Sequence, residues 1–112
     1  MIVGMNQLFF ELKNVHLFRS VLNEVLNGFV VDDFDAAIGM TRADLQQLLT
    51  QLNRLPDDVG IKLDLNRTRA FHNALRRTLR ELGVEEFHTR TGFDFQEGKR
   101  VLKELDDRLQ DS

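Results

Sequence analysis

The chain matches itself. Shifted by 53 residues, it superposes two segments without a gap. Phe18 falls on Phe71, Leu22 on Leu75, Leu26 on Leu79, Val31 on Val84, Phe34 on Phe87, Gly39 on Gly92, Leu49 on Leu102 and Leu52 on Leu105. Upstream, Leu12 falls on Leu65 and Glu11 on Asp64; Asp32 and Asp33 fall on Glu85 and Glu86. Two amphipathic helices share some leucines by chance. One register that aligns strand, helix, glycine and second helix together points instead to a tandem repeat. Such a repeat constrains the fold strongly. Each unit holds one strand, and a lone strand cannot satisfy its own backbone, so the two units are expected to share a sheet and a core.

Within each unit the parts follow in the same order. Residues 7–13 (QLFFELK) and 59–65 (VGIKLDL) alternate with period two, the mark of a half-buried strand. Leu8, Phe10 and Leu12 share one face, as do Ile61, Leu63 and Leu65. Phe18, Leu22, Val25, Leu26 and Phe29 then recur at helical spacing, matched by Phe71, Leu75, Leu79 and Leu82. Asn14 and Asn66 are the expected N-caps. A short turn of structure around Phe34 or Phe87 is expected to end at Gly39 or Gly92 with positive φ. TRAD (41–44) and DFQE (94–97) read as capping boxes opening the last helix of each unit. The expected fold is therefore α+β and mostly helical. Two strand–helix–helix units, about 7–55 and 59–109, are joined by a linker at 56–58 and form a single domain over 1–112. A pseudo-twofold axis pairs their strands in a small two-stranded antiparallel sheet, with the helices on one face.

Composition narrows the function classes. A chain of 112 residues buries roughly 65% of its unfolded surface and needs no metal or disulfide to fold. With 42% apolar and 29% charged residues it is globular in composition. It has no cysteine, which excludes disulfides, thiol catalysis and cysteine-based zinc sites. Its serines are Ser20 and Ser112, and nothing sets Ser20 beside a base, so nucleophilic catalysis has little to build on. His16, His72 and His88 are too widely spaced to suggest a metal site, and there is no glycine-rich phosphate loop. No cofactor and no metal are expected. No apolar run approaches the roughly 18 residues of a membrane span, and the first residues, MIVGMNQ, lack the basic start of a signal peptide, so a cytoplasmic location without membrane partners is expected.

The segment richest in polar chemistry is EEFHTRTGFDF (85–95). Its counterpart 53 residues earlier is DDFDAAIGMTR (32–42), which builds the same frame with Asp35, Ala36, Ala37 and Ile38 in place of His88, Thr89, Arg90 and Thr91. Those four side chains are not needed for the frame: they are ordinary surface or an acquired site. The ordinary role of His88 is an exposed or capping histidine, and that of Arg90 is to answer Glu85 and Glu86. A basic run at 66–80 carries Arg67, Arg69, Arg76, Arg77 and Arg80. On a helix Arg69, His72, Arg76 and Arg80 share a face, either solvated and answered by acids elsewhere or a docking surface for an acidic partner.

Residues 22–28 (LNEVLNG) and 86–92 (EFHTRTG) resemble segments of small uncharacterised bacterial proteins, in which LNEV-x-NG precedes EF-x-TR-x-G within one short unit. Here the first segment stands in one repeat and the second in the other. The resemblance implies no activity. It suggests that Asn23, Glu24 and Asn27 meet Glu86, His88 and Arg90 across the repeat interface.

The residues favour a small non-enzymatic interaction or regulatory module whose partner is a protein, with a homodimer as one form of it. Phe9 is the candidate dimer contact, because the alternation that turns Leu8 and Phe10 inward turns Phe9 outward; the N-terminal MIVGM folding back over it is the competing explanation. A first alternative is nucleic-acid binding through a helix-turn-helix-like segment at 34–52, which sets Arg42, Gln46, Gln47, Thr50 and Arg54 on the second helix. Against it stand Asp32, Asp33, Asp35 and Asp44, which crowd the phosphates, and a net charge of −3. A second alternative is an enzyme using the His88 and Arg90 region with a cofactor the sequence does not reveal.

Overall fold

The computed structural model describes residues 7–56 and 58–110. In chain order it has β1 (Leu8–Phe10), α1 (Leu12–Asn23), a π-helical turn (Glu24–Gly28), α2 (Phe34–Ile38), α3 (Arg42–Asn53), β2 (Ile61–Leu63), α4 (Leu65–Thr91) and α5 (Phe95–Gln110). The fold is α+β and mostly helical around a two-stranded antiparallel sheet, as the patterning predicts. The ladder pairs Leu8 with Leu63, Phe9 with Lys62 and Phe10 with Ile61. Its central pair, Phe9 and Lys62, is also a pair of positions 53 apart. Alternation buries Phe10 and Leu63 and leaves Phe9 and Lys62 outside.

The strands are shorter than the alternation suggests, because Leu12 and Leu65 already belong to helices. The N-caps are accordingly Glu11 and Asp64 rather than Asn14 and Asn66. A cap must stand immediately before the first helical residue, and both asparagines lie inside the first turn. Asp64 caps with its side chain, accepting from the Arg67 backbone N–H at 2.8 Å. The longer Glu11 makes no side-chain cap. Thr41 caps α3 by accepting from the Asp44 N–H at 3.1 Å. Gly39 (φ 85°) and Gly92 (φ 79°) end their helices in the left-handed region, each N–H returning to the carbonyl four residues back.

The core is built from both halves. The rings of Phe18 and Phe71 stack at 4.3 Å where α1 crosses α4, and Phe10 meets Phe71 edge-on at 5.9 Å. Leu45, Leu49 and Leu52 of α3, Phe87 of α4, and Val101 and Leu105 of α5 complete it. Buried apolar surface on this scale is what orders so small a sheet, since two three-residue strands do not stand alone in water.

The halves part company after their first helices. In the first, the helix widens into the π-helical turn, Phe29 is extended, and Asp33 takes a left-handed conformation (φ 49°) before α2. In the second, a short helical arm around Phe87 ends at Gly92 as expected, set off from the body of α4 by Gly83 (φ 72°, ψ −174°), whose non-helical conformation is open essentially to glycine alone. Val31 and Val84, equivalent by sequence, therefore face differently: Val31 is buried and Val84 exposed. No helix among the described residues is long and apolar enough to cross a membrane.

Candidate functional site

A π-helical turn holds one residue more per hydrogen-bonded loop than an α-turn, which displaces the side chains on it. Here it carries Glu24 inward, so that a carboxylate is buried. Arg90, from the far arm of α4, answers it with Nη2 at 2.7 Å from Oε1. The same nitrogen donates to the Gly28 carbonyl at 3.0 Å. The contact with Glu24 is ionic rather than a well-aligned hydrogen bond, for no donor among the described residues points squarely at the buried Oε1. Gly28 makes the approach possible, since a Cβ there would stand 2.2 Å from Glu24 Oε1 and 2.7 Å from Arg90 Nη2.

Of the six residues flagged around the two segments, the structure brings Glu24 and Arg90 together. Asn23 and Asn27 are exposed and bond each other, Nδ2 to Oδ1, at 3.1 Å. Glu86 is exposed. His88 turns toward Asp94, Nε2 to Oδ1 at 3.8 Å, with both side chains mostly in water. That pair lines an open cleft of about 590 Å³ beside the kink, together with Val84, Glu85 and Phe95. Water screens so exposed a pair, and Thr89 adds a hydroxyl to the same cleft.

The basic run divides. His72 leaves the arginine stripe: its Nε2 lies 2.5 Å from Asp106 Oδ1 on α5, and its Nδ1 lies 3.2 Å from Asn73 Oδ1. Arg69, Arg76 and Arg80 are exposed, and no ion pair forms on them among the described residues. Other basic side chains are answered within the chain: Arg67 by Asp64, Lys13 by Glu97, and Arg100 by Glu97 and Glu104. Arg76 and Arg80 line a groove between α4 and α2 with Asn73, Arg77 and Ala37. Asn73 donates from Nδ2 to the Ile38 carbonyl at 2.9 Å and so ties the end of α2 to α4. Arg77 Nε lies 3.3 Å from Glu81 Oε1.

Arg77, Asn73 and Ala37 were not singled out by the sequence as site residues. The alignment held the signal, for it sets Ala37 opposite Arg90 and Arg77 opposite Glu24. Along the helix-turn-helix-like segment, Leu45, Leu48, Leu49 and Leu52 are core, while Gln46, Gln47 and Arg54 are exposed. Arg42 is occupied within the chain. It donates to the Leu26 carbonyl at 2.6 Å and lies over the Phe34 ring at 4.5 Å.

Phe9 is 54% exposed on the outer face of the sheet. Its carbonyl accepts from Arg108 Nη2 at 2.8 Å, and that guanidinium lies 4.5 Å over the Phe10 ring. The MIVGM segment, the alternative cover for Phe9, lies outside the described residues. No family model, curated protein or solved structure matches the chain.

Proposed function

We propose that the chain is a small non-enzymatic interaction module that docks an acidic segment of a partner protein on the arginine face of α4. One observation carries this: Arg76 and Arg80 are exposed without an internal ion pair among the described residues, on a chain that answers most of its helical charges internally. Like charges four residues apart on a helix cost roughly 0.2–0.5 kcal/mol. A partner carboxylate relieves that repulsion and adds charge-assisted hydrogen bonds. The net charge of −3 favours a local docking surface over general adhesion to polyanions.

Titration calorimetry with a peptide of alternating glutamate and alanine tests the proposal. Binding that weakens as salt is raised, and that disappears in the Arg76→Glu, Arg80→Glu double variant while its circular dichroism stays unchanged, supports it. Salt-dependent binding of oligonucleotides in place of the peptide, lost on Arg54→Glu, would instead establish nucleic-acid binding through α3.

A further inference from the structure

The groove between α2 and α4 occupies, in one half of the chain, the place that the Glu24–Arg90 contact fills in the other. Arg77 stands 53 positions after Glu24, and Arg90 stands 53 positions after Ala37. At the first place a long cationic side chain crosses from one helical arm to a buried carboxylate. At the second the crossing side chain is a methyl group and the buried acid is replaced by an arginine. An opening of about 130 Å³ remains, lined by Ala37, Asn73, Arg76, Arg77 and Arg80.

We infer that this opening is an anchor pocket for one carboxylate side chain of the docked acidic segment, an inference that rests on the docking function proposed above. Three guanidinium groups face the opening and no acidic residue lines it. Glu81 engages Arg77 from the same helix at 3.3 Å, leaving Arg76 and Arg80 to supply donors. Guanidinium groups present paired N–H donors that match the two oxygens of a carboxylate. The end of α2, whose carbonyls would repel an anion, is closed off: Asp35 O accepts from the Gly39 N–H at 2.8 Å and Ile38 O accepts from Asn73 at 2.9 Å. The same Asn73 bond holds the two walls at a fixed separation, so the pocket exists before the ligand arrives.

The test separates a seated carboxylate from diffuse attraction. Ala37→Leu fills the opening without changing any charge. The glutamate–alanine peptide is expected to bind this variant roughly tenfold more weakly or worse than wild type, the loss of one charge-assisted hydrogen bond. Titration of the labelled wild-type protein with the same peptide is expected to shift the Ala37 methyl and Asn73 side-chain amide resonances saturably. The glutamine–alanine counterpart is expected to shift neither. Wild-type affinity in a folded Ala37→Leu variant, or stationary Ala37 and Asn73 resonances in saturated wild type, would overturn the pocket. If Arg76→Glu, Arg80→Glu still abolished binding in that case, docking on the arginine face would stand without it. No binding of the glutamate peptide to wild type would remove both.

Discussion

At Glu24 the chain buries a carboxylate, opens the helix into a π-turn to accommodate it, and reaches across with Arg90. At the matching place in the second half, Arg77 pairs with Glu81 along its own helix, and Ala37 leaves the crossing empty. Positions aligned by sequence thus carry one closed ionic contact and one open cationic groove. Among the differences between them are a reversed charge on the first helix and a truncated side chain on the arm that packs against it. The first arrangement ties the halves together, because Glu24 without Arg90 is an unanswered buried charge. The second leaves the Arg76 and Arg80 guanidinium groups able to meet something outside the chain.

The sharpest way to break this comparison is to empty the filled side. Arg90→Ala is expected to cost about 2–3 kcal/mol, somewhat below the full penalty for orphaning a buried charge because the guanidinium is one-third exposed. Adding Glu24→Gln should restore part of that loss by removing the orphaned charge. Ala37→Leu, at the matching position, should stay within about 0.5 kcal/mol of wild type. Urea melts decide, and equal effects on the two sides would mean that the Glu24–Arg90 contact does not tie the halves together.

A second substitution probes the connection that makes the halves differ. A Cβ at Gly83 or at Gly92 would meet nothing within 4 Å, so any cost of adding one comes from the backbone alone. Gly83→Ala should lose about 2 kcal/mol, given its glycine-only conformation. Gly92→Ala, in the milder left-handed region, should lose about 1 kcal/mol. Thermal melts that rank Gly92→Ala as the more damaging would contradict the kink at Gly83.

The smallest effect belongs to a surface contact that spans the halves. The Arg100 guanidinium, and then the Lys13 ammonium, hold the Glu97 carboxyl below its ordinary range by hydrogen bonding to it. A lowered folded-state value means that the ionised Glu97 stabilises the fold above the unfolded carboxylate range, and that this contribution is lost as pH falls through the folded value. Wild type should therefore exceed Glu97→Gln in melting temperature at neutral pH, and the two should converge on acidification. A gap that widens in acid would refute the sign.

Much of the frame was legible in residues 7–110 before any coordinates. Period-two and helical spacings located the strands and helices, and Gly39, Gly92 and Thr41 marked the ends they form. Helix starts were read less well. Asn14 and Asn66 are good capping residues in the wrong place, and only the length of the paired strand settles where a helix begins. The two connections were not legible either. Nothing local in residues 24–28 demands a π-turn, and the helical patterning around Gly83 hides a kink.

By itself, the sequence determined the mostly helical α+β class and which faces turn inward, because periodicity is a local property that survives any arrangement of the elements. It also set Ala37 opposite Arg90 and Arg77 opposite Glu24, a difference visible before its meaning was. Only the tertiary structure decided which charges are answered. His72 and Arg42 look free along the chain and are engaged by Asp106 and by the Leu26 carbonyl in space. Arg76 and Arg80 look no different from them and remain exposed beside the gap that Ala37 leaves. The physical reason is that side-chain pairing depends on distances of a few ångströms between elements far apart in the chain, and spacing along one helix carries no information about what packs against it.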